Sequence, residues 1–321
     1  MKSWGFDVFA ISQHTNYALP VVTENALRDL QLISELELNE TKLTRFLKTI
    51  QDAYLKLPYH NYLHAADVAQ TSYYMCTEGN LVHAISVSKL GVLALIIGAA
   101  IHDVSHPGVT GKFITAISGP LAIQYNDQSP LENMHLSKAF TIWNDPKQNF
   151  TERMPRIMYK DLRKMIIDMV LATDNDLHFN LVAKLSDLAS SGELAANRPT
   201  KPAERTSEHT RPRGLSSEAA QYTPMKPWQL ITLQITLHAA DISGPAKPWD
   251  VHTKWTALVM EEFYNQGDEE RKLGVPITFA FDRHNKVPLP KFQMVRYYYL
   301  SSTACLLLLF IISVVIHFLS Y

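Results

Sequence analysis

The stretch Tyr59-His60-Asn61-Tyr62-Leu63-His64-Ala65-Ala66-Asp67 decides how this chain is read. Two imidazoles four apart and a carboxylate three further on fall on one side of an α-helix, because side chains at i, i+3 and i+4 stack over one another. On that reading Leu63 and Ala66 face a core, while His60, His64 and Asp67 point together into a polar cavity. A lone pair of histidines at this spacing is more often an ordinary hydrogen-bonded pair. Two further clusters tip the balance towards a site: Ile101-His102-Asp103-Val104-Ser105-His106-Pro107-Gly108 and His238-Ala239-Ala240-Asp241.

The chain around these clusters has 321 residues and is 46% hydrophobic, enough to bury a substantial core. Lys and Arg number 30 against 31 Asp and Glu, so no overall basic field gathers nucleic acid. Two cysteines, Cys76 and Cys305, make no disulfide framework and fit a reducing compartment. Met1 to Asp7 lacks the basic start and apolar run of a secretory signal, so the body of the protein is expected in the cytosol. Residues 297–321 differ: they carry no Asp, Glu, Lys or Arg, and Cys305 to Ile316 is almost pure Leu, Ile and Val. Such a run is long enough to cross a bilayer, with Arg296 and Tyr297-Tyr298-Tyr299 as an interfacial anchor. A fully buried terminal helix fits the run equally well, and both readings stay open.

Helical periodicity dominates elsewhere. Leu43, Phe46, Leu47, Ile50, Tyr54 and Leu57 predict an amphipathic helix over Asn39 to Leu57, capped by Asn39 and ended by Pro58. The His60 segment is expected to continue as helix to about Tyr74. Leu90 to Ile101 is apolar and small, which predicts a central buried helix delivering His102 and Asp103 at its end, with Pro107-Gly108 as the stop. Ser129 is placed to cap a helix that opens at Pro130. Leu162, Met165, Ile166, Met169 and Val170 form a further stripe, as do Trp228 to Ala240 and Val251 to Phe263. Ser190 to Lys226, rich in Pro, Ser, Thr, Arg and Glu, reads as a mobile surface insertion. Val275 to Phe281 is the one short stretch that reads as extended. The expected class is all-α, with residues 1–296 as one multi-helix catalytic domain, 190–226 inserted in it, and 297–321 as the apolar tail.

Histidine nitrogen with carboxylate oxygen, and no thiolate, suits divalent ions such as Zn²⁺, Mn²⁺ or Mg²⁺. If His64, His102, Asp103 and Asp241 converge, they hold one metal, and the second oxygen of Asp103 is free to bridge to another. Paired ions of this kind activate water and neutralise charge on a phosphoryl group, so the reaction class is phosphate-ester hydrolysis.

Taken in order, Tyr59-His60-Asn61-Tyr62-Leu63-His64-Ala65-Ala66-Asp67-Val68, Ile101-His102-Asp103, Asn126-Asp127-Gln128-Ser129-Pro130-Leu131-Glu132-Asn133, Ala172-Thr173-Asp174, His238-Ala239-Ala240-Asp241-Ile242-Ser243 and Met260-Glu261-Glu262-Phe263-Tyr264-Asn265-Gln266-Gly267-Asp268 resemble the class I cyclic nucleotide phosphodiesterases. The resemblance runs from about Ser3 to Gln293. Ser3-Trp4-Gly5-Phe6-Asp7-Val8-Phe9 and Pro245-Ala246-Lys247 look most like the calmodulin-dependent branch.

The resemblance implies an all-helical domain that cleaves the 3′ ester of cAMP or cGMP with two divalent ions, zinc at the tighter site and magnesium or manganese at the second. His64, His102, Asp103 and Asp241 match the zinc ligands, with Asp103 also matching the bridge. His60 matches the general acid. His106 and Glu132 match groups around the metal waters, and Thr173 a nearby water contact. Gln293 aligns with the glutamine that hydrogen-bonds the purine. Val259 and Met260 match apolar walls of the pocket, although a helix-stripe core reads nearly as well for them.

The sequence also departs from the family. Ser105 stands in place of an acidic residue, Met134 in place of a histidine before His135, Gly244 in place of a polar side chain, and Arg296 in place of a stacking phenylalanine. From Met294 onward the resemblance is expected to end. Two other readings follow from the altered end of the pocket and from the metal ligands alone: a nucleotide-binding protein of low turnover, and an HD-type phosphohydrolase acting on another nucleotide.

Overall fold

The computed structural model describes residues 1–191 and 223–288 of the chain. These form α1 (Val8–Ser12), α2 (Ala18–Asp29), α3 (Leu32–Glu35), α4 (Glu40–Ala53), α5 (Tyr62–Cys76), α6 (Leu81–Ala84) and α7 (Lys89–Ile101). Then come α8 (Gly111–Ala116), α9 (Pro120–Tyr125), α10 (Pro130–Trp143), α11 (Arg156–Leu171), α12 (His178–Ser190), α13 (Pro227–Asp241) and α14 (Trp249–Lys272). The described residues contain no strand, so the all-α expectation holds, and Val275 to Phe281 forms loop and turn.

α7 is the centre. Every residue from Leu90 to Ile101 is buried, as expected for a helix that is apolar all round, and α5, α11 and α13 pack around it. Ser88 caps it, its hydroxyl accepting from the Gly91 N–H. A Cβ on Gly91 would stand 2.7 Å from Val87 Cγ2, so hydrogen is the side chain this contact accommodates.

Three predicted boundaries shift, each for a local reason. α4 starts at its Asn39 cap but ends at Ala53, four residues before Leu57, because Tyr54 turns to extended backbone. Its phenol then donates to the Ala100 carbonyl and accepts from the Asp103 N–H, tying the end of α4 to the end of α7. α7 stops at Ile101, well before Pro107, and Ser105 sits at φ +64° in the turn that follows. α5 starts at Tyr62, so His60 lies outside the helix. Asn61 is the cap: its carbonyl accepts from the Leu63 N–H, and its amide donates back to the Leu57 and Pro58 carbonyls. His60, His64 and Asp67 therefore do not share one helical face, contrary to the expectation. Ser129 stands at the cap position of α10, yet its hydroxyl donates to Asp174 and caps nothing.

The greater part of the predicted insertion, 192–222, and the whole apolar tail, 297–321, lie outside the described residues. Among the described residues no helix is long and apolar enough to cross a membrane.

Helix α14 is the long closing element, and Gly267 is where the chain returns against it. A Cβ there would come within 2.0 Å of the Phe281 carbonyl oxygen, while Phe281 stacks on Phe263 one turn earlier. Gly267→Ala is expected to cost about 1–3 kcal/mol, since backbone must move to admit the methyl group. Urea unfolding of both proteins measures it as a lowered midpoint at unchanged slope.

Candidate active site

Three helices deliver one cluster. His64 comes from the first turn of α5, His102 and Asp103 from the end of α7, and Asp241 from the last residue of α13. One ligand atom from each lies within 4.8 Å of the others. His64 Nε2 is 2.9 Å from Asp241 Oδ1 and 3.5 Å from Asp103 Oδ2; His102 Nε2 is 3.1 Å from Asp103 Oδ2 and 3.4 Å from Asp241 Oδ1.

The tautomers can be assigned from the partners. His102 Nδ1 faces the Ala99 carbonyl at 2.9 Å and His135 Nδ1 the Val104 carbonyl at 2.7 Å. A carbonyl only accepts, so both Nδ1 atoms carry the proton, and in the neutral ring form both Nε2 lone pairs face the carboxylates. Neither Nε2 has a hydrogen-bond partner, although both are buried. Lone pairs of this kind facing carboxylate oxygens repel unless positive charge sits between them.

The charges around these groups make the same demand. Burial disfavours a charge on His102, yet Asp103 and Asp241 outweigh it and raise its pKa well above the usual imidazole value. Burial would also lift the Asp103 and Asp241 carboxyls, but the facing imidazoles, His102 foremost, hold both below the usual carboxylate range. Oxygen and imidazole donors, fixed tautomers and surplus negative charge fit a divalent cation. The other oxygen of Asp103, with His106 and His135, forms a second group of possible ligands at the same spacing.

Beside the cluster, His60 is held by Glu262 of α14. One oxygen of Glu262 accepts from the backbone N–H groups of Tyr59 and His60, at 2.9 and 3.0 Å, and the other pairs with His60 Nδ1. Burial opposes a positive His60, but the Glu262 carboxylate overcomes it and raises the imidazole pKa. The His106 ring stacks on that of His60 at 3.9 Å. Burial and then the charge of His60 push the His106 pKa well down, and its Nδ1 accepts from the Gly108 N–H. Glu132 stands nearby with its carboxyl pushed up to about 8 by burial and by Asp174. The Thr173 hydroxyl donates to the Val170 carbonyl, which leaves its lone pairs for other partners.

The match to known proteins is consistent with this geometry. The family model described as 3′5′-cyclic nucleotide phosphodiesterase matches residues 59–303. The chain belongs to that family. It is 34% identical over 295 residues to a probable 3′,5′-cyclic-AMP phosphodiesterase of Caenorhabditis elegans, covering 92% of this chain and 40% of that protein. It is 36% identical over 283 residues to the dual specificity calcium/calmodulin-dependent 3′,5′-cyclic nucleotide phosphodiesterase 1B of Mus musculus, covering 87% of this chain and 46% of that protein. The chain thus spans less than half the length of these relatives. Its structure is similar to the phosphodiesterase domain of the RhoPDE fusion protein from the choanoflagellate Salpingoeca rosetta, at a TM-score of 0.74 and 26% identity, over 97% of this chain and 91% of that one.

The family match runs on to residue 303, so the expectation that resemblance ends at Met294 is corrected. Gln293 and Arg296 lie outside the described residues. Val259 is part of the main core, while Met260 packs in a small separate cluster with Ala280. Met134 joins the apolar cluster of Ile114, Ala122 and Leu131, and the Ser105 hydroxyl donates to the Ala53 carbonyl. Around Gly244 a Cβ would meet nothing within 4 Å.

Asp67 is the clearest displacement from the sequence reading: it sits at neither group of ligands and pairs with Lys247. The sequence reading also missed Glu262 and His135. Glu262 had a signal, because it continues the buried stripe of Trp255 and Val259 with a charged residue that a buried helix face must then pair.

Metal binding to the folded chain alone must raise its stability. Zn²⁺ added to chelator-stripped protein is expected to raise Tm in a concentration-dependent way, equivalent to about 2.7 kcal/mol at a hundredfold excess over Kd. The increment should be lost in His64→Ala, as differential scanning calorimetry would record.

Proposed function

We propose that the chain hydrolyses the 3′ phosphoester bond of a 3′,5′-cyclic nucleotide, cAMP or cGMP, to the 5′-monophosphate, and that residues 1–296 form its catalytic domain. The observation that carries this reading is the four-ligand cluster with the Glu262-held imidazole of His60 beside it, its ring 5.9 Å from that of the ligand His64. Family membership supports it, as do relatives whose names specify cyclic-AMP or dual specificity.

In this reading His64, His102, Asp103 and Asp241 hold the tighter ion, zinc, and Asp103 reaches a second, magnesium or manganese. When bound, these ions supply an activated water and neutralise phosphoryl charge. The residues of the chain do the rest. Glu262 only accepts, so the Nδ1 proton of His60 is committed to it and Nε2 carries the proton that goes to the leaving O3′. His106, kept neutral, lies flat against the acid without competing for that charge. In the same reading Glu132 and Thr173 orient water, and Gln293, which lies outside the described residues, hydrogen-bonds the purine.

His60→Ala is expected to lower kcat by roughly a hundredfold or more, in steady-state hydrolysis of both nucleotides by one preparation. The acid must be protonated to act, so activity falls as pH rises through its raised pKa. Glu262→Gln removes the raising charge and leaves the burial that lowers it, so the alkaline limb of kcat/KM should move to lower pH. An unchanged limb would reject Glu262 as the cause.

We also propose that the chain is cytoplasmic, with residues 297–321 as its membrane contact. A membrane-spanning tail keeps the protein in the pellet after alkaline carbonate extraction, and a buried terminal helix releases it.

A further inference from the structure

The third member of the opening motif, Asp67, has no part in the proposed reaction, and its surroundings assign it another. It lies one helical turn beyond His64 on α5, buried, with Lys247 Nζ 3.2 Å from its Oδ1. The ammonium also donates to Thr71 Oγ1 at 2.7 Å, and that hydroxyl donates in turn to the Asp67 carbonyl. The Trp4 ring covers the ammonium, its centroid 5.0 Å away, while Trp4 Nε1 donates to the Ala246 carbonyl at 2.8 Å. Lys247 is thus fully enclosed, with a carboxylate, a hydroxyl and an aromatic face around it.

Its place in the chain gives the enclosure meaning. Lys247 ends the short turn that follows Asp241, the last residue of α13, and the same turn is held from the other side by His252 Nδ1, which donates to the Gly244 carbonyl. Asp67 sits on the helix that carries His64. The ion pair therefore joins α5 to the segment after α13 one turn away from the point where His64 Nε2 meets Asp241 Oδ1 at 2.9 Å. Surface pairs slide and are screened; a buried one fixes the spacing of the elements that carry it.

We propose that Asp67 and Lys247 are positioning residues that hold His64 and Asp241 at the separation a divalent cation requires. The proposal rests on the metal reading above. Outer contacts that orient ligands typically change metal affinity 10–100-fold when lost.

A simple loss of folding would mimic this effect, so the test separates the two. Zn²⁺ affinity is measured on the full chain by competition with a chromophoric chelator, and stability is measured on the metal-free chain by urea unfolding. Lys247→Met leaves Asp67 buried without its partner; it is expected to weaken zinc binding at least tenfold and to lower the urea midpoint. Asp67→Asn combined with Lys247→Met leaves no buried charge and should restore the midpoint towards that of the parent. Zinc affinity in this double variant should remain at least tenfold below the parent, because nothing draws the turn onto α5. Recovery of full affinity together with the midpoint, or unchanged affinity in Lys247→Met, would overturn the proposal and leave the pair a purely structural one. A parent chain that binds no zinc would instead sink the metal reading, and this inference with it.

Discussion

The constraint on which this molecule turns is electrostatic: two carboxylates and several imidazoles are packed into one small volume taken out of water. Asp103 and Asp241 cannot sit there as bare charges, and with Nδ1 of His102 committed to a backbone carbonyl its Nε2 must face them with either a proton or a cation between. Such an arrangement is unfavourable as a core and favourable as a cation cage. The surrounding architecture amounts to a set of restraints that keep those groups from relaxing away from one another.

Helix α14 is the most economical of those restraints. Along one face it carries Glu262, Gln266 and Glu270, all buried and four apart. Glu262 grips the backbone of Tyr59 and His60; Gln266 accepts from the Thr110 N–H and donates to the Thr110 hydroxyl and to Glu270; Glu270 receives the Thr278 N–H and hydroxyl. One rigid rod thus fixes three loops, including both ends of the segment between which His60 and His106 stack. Loops cannot satisfy their own backbone donors when covered, so the helix supplies acceptors where the loops need them.

Much of this was legible in the sequence. The spacing of His60, His64, His102, Asp103 and Asp241 announced a site, and the apolar run from Leu90 announced the centre of the fold, because those signals depend only on residue type and period. What could not be read were partnerships across long separations. Asp67 looks like a third member of the His60 and His64 group until Lys247, 180 residues away, is seen to claim it. Ser129 reads as a helix cap because hydroxyls cap helices, but Asp174 offers it a charged acceptor. Nothing in the residues before Leu57 shows that Tyr54 will break α4 early; the reason lies on α7, at Ala100 and Asp103.

The enclosure of α7 on every side has one more consequence. A helix with no solvent-facing stripe has no way to open by fraying outward, so its amide hydrogens exchange only when the whole domain comes apart. His102 and Asp103, at its end, inherit that immobility, whereas His60 lies on a loop ahead of α5, tied by Glu262 and by the ring of His106. Two of the four cation ligands are thereby built on the slowest-opening element of the protein, and the proton donor on a loop that a side chain from another helix holds in place.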